Sequence, residues 1–148
     1  DIDGKTAYEG DIYPKGAFFM HTLAWVLGDE IFYPALKKFA TIQKYTYHNM
    51  VVTKDAEQFF SKESGINLKP LFDLFIFSTD KLEISVKELT RNRFEVKLLN
   101  LDMELPVEVT TSEGTKQLKL SKKPLVVESS SLPSVDPNWY YLRKIYVE

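Results

Sequence analysis

Apolar positions along the chain recur first with a helical spacing of about 3.6 residues and then, past Asp80, with a spacing of 2. In the first regime Asp11 is placed to cap a helix and Pro14 falls in its first turn, where a missing N–H breaks no bond. Ala17, Phe18, Phe19, Met20, Leu23, Ala24, Trp25, Val26 and Leu27 then cover every side of that helix, which implies that other protein surrounds it. Gly28 is the expected left-handed stop. Asp29 is expected to cap a second helix reaching about Gln43, with Ile31, Phe32, Ala35, Leu36, Phe39 and Ile42 on its apolar face. Pro34 requires either a start near Phe32 or a kink. A loop with Tyr45, Tyr47 and His48 follows, then a third helix capped by Thr53, with Phe59 and Phe60 inward and Gly65 as its stop. A fourth starts at Asn67, tolerates Pro70 in its first turn, and offers Leu68, Leu71, Phe72, Leu74, Phe75 and Phe77 to the core.

In the second regime Ile84 and Val86, then Phe94, Val96 and Leu98, then Leu105, Val107 and Val109 alternate with polar residues as half-buried strands do. Arg91-Asn92, Ser112-Glu113-Gly114 and Ser121-Lys122 supply turns. Further strands are expected at Lys116 to Leu120, at Leu125 to Glu128 and from Tyr140 to Val147, with Ser129-Ser130-Ser131 a loop. Short strands so closely spaced suggest an antiparallel sandwich of immunoglobulin type. The fold class is therefore α+β, an all-helical part over residues 1–80 followed by a β-sandwich over 81–148.

Composition narrows this picture. With 44% hydrophobic and 14% aromatic residues the chain can bury a core, and no apolar run approaches the roughly 20 residues that span a membrane. Basic against acidic residues number 8 to 11 over residues 1–80 and 11 to 10 over 81–148, so neither part concentrates the positive charge a nucleic-acid face needs. The pairs Lys37-Lys38, Lys122-Lys123 and Arg143-Lys144 read as solvated surface. Without cysteine there is no disulfide framework and no thiolate chemistry, and the compartment stays open. A start at Asp1, with neither Met nor a signal segment, reads as a piece of something longer.

Self-contained chemistry is not found. Gly4-Lys5-Thr6 lacks both the earlier glycine and the strand of a phosphate-binding loop. A zinc hydrolase takes two histidines one helical turn apart, whereas His21 and His48 stand 27 positions apart. His21, within the apolar helix, reads as a hydrogen-bonded core residue and His48 as an exposed loop residue. No G-x-S-x-G elbow occurs. Asp29-Glu30 reads as a capping pair, and Trp139-Tyr140-Tyr141 as core packing into the last strand.

Tyr13-Pro14-Lys15-Gly16-Ala17, read as Y-x-K-G-A at the head of a buried helix, resembles a segment of the aminopeptidase N family of zinc metallopeptidases. Leu27-Gly28-Asp29-Glu30-Ile31-Phe32, Leu36-Lys37-Lys38-Phe39, Val52-Thr53-Lys54-Asp55 and Ser64-Gly65-Ile66-Asn67-Leu68 follow the family's order, and Val135-Asp136-Pro137-Asn138-Trp139-Tyr140 resembles the close of its sandwich domain. The likeness implies that residues 1–80 are the C-terminal helical part of a catalytic domain. The family's zinc site H-E-x-x-H, its downstream Glu and its G-x-M-E-N segment lie upstream of Y-x-K-G and do not occur in this sequence. The resemblance implies that Tyr13 donates a hydrogen bond to the oxyanion formed at the peptide carbonyl, while Tyr8 lines the same cleft. Lys15 is expected to form an ion pair and Gly16 to admit a close neighbour. Pro14 departs from the usual pattern.

Two function classes follow. In the first, the parent is a zinc aminopeptidase acting on peptides, and this chain binds no zinc itself but supplies Tyr13 and a scaffold for the missing upstream part. In the second, the parent is a non-catalytic relative whose helices and sandwich form an interaction platform. Either way, apolar surface around the first helix is expected to favour self-association. Neither a nucleic-acid partner nor a membrane span is expected.

Overall fold

The computed structural model describes residues 12–46 and 49–148, Ile12 by its backbone alone. Helices α1 (Ile12–Leu27), α2 (Asp29–Thr41), α3 (Thr53–Ser64) and α4 (Lys69–Phe75) precede seven strands, and a 3-10 turn, Gln43–Tyr45, follows α2. The strands are β1 (Leu82–Thr90), β2 (Arg93–Leu98), β3 (Leu105–Thr111), β4 (Gly114–Leu120), β5 (Leu125–Glu128), β6 (Ser134–Val135) and β7 (Arg143–Val147). The chain is thus mixed α and β, and the switch from helix to strand falls where the spacing of apolar residues changes. Two compact units divide earlier, between Ser64 and Gly65, so that α4 groups with the strands.

In the first unit α1 passes into α2 through a single residue. Gly28 takes φ 76, donates its N–H to Ala24 O at 2.8 Å, and offers its own carbonyl to Phe32 N at 2.9 Å. It therefore ends one helix and begins the next, and the expected cap at Asp29 is not formed. Asp29 and Glu30 lie in the first turn of α2 instead, where carboxylates favour the positive end of the dipole. The helix runs through Pro34 rather than starting near Phe32. The bond it forgoes is to the carbonyl of exposed Glu30, which can turn to solvent.

Aromatic rings join α2 and α3. Phe32 stacks on Phe60 at 6.1 Å, while Phe39 lies 5.1 Å from Phe59 and 4.8 Å from Tyr45. Such pairs add about 0.5–1.5 kcal/mol each beyond the area they bury. At the head of α3 Asp55 Oδ2 accepts from Val52 N at 3.0 Å, so the terminus is closed by Asp55 reaching back to the N–H before Thr53. Gly65 ends α3 with φ 71, as expected.

In the second unit Asn67 Oδ1 accepts from Lys69 N at 3.2 Å and opens α4, whose Leu71, Phe72, Leu74 and Phe75 are buried together with Leu68. Phe77, past the helix end, is 60% exposed and does not join that core. One sheet has the order β5-β2-β1-β7 and the other β4-β3-β6. All pairings are antiparallel except β1 with β7, which run parallel, so the wholly antiparallel arrangement expected from the alternation is not realised. Alternation specifies which face is buried, not the direction of a partner arriving from far along the chain. The buried faces are those anticipated: Ile84 and Val86, Phe94, Val96 and Leu98, Leu105, Val107 and Val109.

The approach to β7 is built on Asp136. Its carboxylate accepts from Tyr140 N at 2.8 Å and Tyr141 N at 3.2 Å, and its backbone N–H donates to Glu108 O at 2.7 Å. Arg143 Nη2 donates to Asp136 O at 2.7 Å, and Nε lies 3.0 Å from Oδ2 in a poorly aligned ion pair. Burial pushes the Asp136 carboxyl above its ordinary value, outweighing the two N–H donors and Arg143, which draw it down. Arg143 is therefore not the solvated surface residue expected, its side chain being only 10% exposed. Nor do all three aromatic residues before it enter the core. Tyr141 is fully buried and donates its hydroxyl to Pro106 O at 2.7 Å, whereas Trp139, at φ 59, is 58% exposed and lies over the Arg143 guanidinium at 4.1 Å. The strand begins only at Arg143, too late for its alternation to govern Trp139.

Candidate functional site

Tyr13 is the second residue of α1, and Pro14 and Lys15 complete its opening turn. Proline is tolerated there because the first N–H groups of a helix have no partner within it. The side chain of Tyr13 is 66% exposed. Ala17 and His21, four and eight residues on, are exposed as well, so the three form a stripe along one side of α1. The opposite side, Phe19, Thr22, Leu23 and Leu27, is buried. The apolarity of α1 is thus matched by burial on one face only, and the expectation that His21 is a core residue is not met. Its ring meets Phe18 edge-on at 6.1 Å.

Gly16 is half-buried, yet nothing lies within 4 Å of where a Cβ would stand, so among the described residues it admits no close neighbour. Tyr8, expected in the same cleft, lies outside the described residues, as do Asp11, Tyr47 and His48. Among the described residues no three of His, Cys, Asp and Glu come together as a metal site, and no helix is long and apolar enough to cross a membrane.

The arrangement therefore places one exposed phenol at the head of a helix that is buried on one face. Sequence reasoning singled out Tyr13 but missed the Asp136–Arg143 pair. The signal for that pair was an Asp-Pro turn seven residues before an arginine that opens a strand. No protein-family model and no curated protein matches this chain.

Proposed function

We propose that this chain belongs to a zinc-dependent aminopeptidase that removes N-terminal residues from peptides, as the end of its catalytic domain and the immunoglobulin-like sandwich that follows. The observation that carries the reading is Tyr13, an exposed phenol in the first turn of a helix that also exposes Ala17 and His21. The order of helices before strands agrees with it, and so does a pair of sheets that each bury one face. Zinc would be held by a segment outside this sequence, and it would supply the activated water. The contribution of this chain is the Tyr13 hydroxyl, a group that can donate to a developing oxyanion. One such donor contributes about 3–4 kcal/mol to lowering the barrier.

Three measurements test this. The isolated chain is expected to carry no stoichiometric zinc and to leave aminoacyl chromogenic substrates intact; zinc at one per chain, or turnover, refutes the reading. In the full-length protein Tyr13→Phe is expected to leave zinc content and KM near normal and to lower kcat at least about a hundredfold. An unchanged kcat removes the role given to Tyr13. Sequencing the coding region upstream is expected to reveal an intact H-E-x-x-H with a downstream Glu. Lost ligands there favour the interaction platform instead.

A further inference from the structure

On the first unit α2, the 3-10 turn and α3 line a half-open pocket of about 310 Å³, within the lower range of small-molecule sites. Its walls include the rings of Tyr45 and Phe59, which meet edge to face at 5.8 Å. Lys38, Lys44, Lys62 and Glu63 also line it. One of the three ammonium groups is neutralised, since Lys38 Nζ lies 2.6 Å from Glu63 Oε1. Lys44 Nζ instead donates to the Tyr45 hydroxyl at 3.3 Å and sits 4.9 Å from that ring. Lys62 makes no ion pair among the described residues. The lining thus carries three lysines against one carboxylate, an excess of two positive charges. This occurs in the part of the sequence where acidic residues outnumber basic ones, 11 to 8 over residues 1–80.

An excess of positive charge around one opening favours an anion there. Aromatic walls beside the charges favour a flat apolar group on the same molecule. We propose that this pocket binds small organic dianions bearing an aromatic ring, aryl phosphates being the simplest of the class. The phosphoryl group sits between Lys44 and Lys62, and the ring lies against Tyr45 and Phe59. This inference does not depend on the role of Tyr13.

The test is a titration of the full chain with phenyl phosphate followed by amide ¹H–¹⁵N correlation spectra. Saturable shifts confined to the turn and the facing parts of α2 and α3 are expected, with Kd on the order of 1 mM. Inorganic phosphate should bind at least about fivefold more weakly, because the apolar contact is missing. The double variant Lys44→Gln, Lys62→Gln, which alters exposed side chains only, should weaken phenyl phosphate about tenfold. Glu63→Gln, which releases Lys38, should tighten it. Absent shifts, equal affinity for phosphate and phenyl phosphate, or binding that survives the double variant would overturn the proposal.

Discussion

At Gly28 the backbone combines φ 76 with ψ 152, a region that essentially only glycine occupies, whereas Gly65 sits at φ 71. Neither has an atom within 4 Å of a Cβ position, so substitution there is opposed by backbone strain and not by contact. Gly65→Ala is expected to cost about 1–2 kcal/mol and Gly28→Ala more, about 2–3 kcal/mol. Urea unfolding followed by Trp25 fluorescence in a Trp139→Phe background measures both, and equal costs would contradict the assignment. Asp136 gives a prediction in pH. Its carboxyl is raised by burial, so between the ordinary value of about 3.9 and the raised one the folded chain keeps a proton that the unfolded chain has released. Stability from this group is complete below the ordinary value and is lost as pH rises through the raised one. The stability difference between the native chain and Asp136→Asn should therefore shrink as pH rises over that window, read from urea midpoints at stepped pH.

Among elements, the Tyr141 hydroxyl is one of several hydrogen bonds that join β3 to the segment entering β7. Tyr141 is fully buried and its O–H reaches Pro106 O at 2.7 Å, so Tyr141→Phe removes that hydrogen bond while the ring still packs. The expected loss is about 1–1.5 kcal/mol in denaturant unfolding; no measurable loss would mean that the carbonyl finds another donor. The helices were legible in outline because Phe32, Phe59, Phe60, Leu71 and Phe72 fall at helical spacing and are buried as that spacing requires. Their ends were less legible. A side-chain cap was expected at Asp29 and Thr53, but the chain uses Gly28 for the first and Asp55 for the second, alternatives whose difference is only about 1 kcal/mol or less.

For the whole molecule, exposed aromatic residues bear on association. Tyr13, Tyr33, Phe77 and Trp139 each keep more than half their surface in solvent. The chain at high concentration is expected to self-associate, with Tyr13→Ser combined with His21→Ser reducing the effect. Light scattering across a wide concentration range measures this, and a monomer throughout would show that the stripe on α1 is not adhesive.

The sequence by itself determined the order of helices before strands and the inward faces of β1, β2 and β3, because helical and extended backbones impose fixed spacings on whatever must be buried. It also singled out Tyr13, which the structure leaves exposed at the head of α1. Tertiary structure decided the rest. The parallel pairing of β1 with β7, the burial of Arg143 against Asp136, and the exposure of His21 and Trp139 all depend on which distant segments meet. Local periodicity carries no record of such meetings. They are fixed only when burying a strand face or desolvating a charge in one place constrains what can be reached in another.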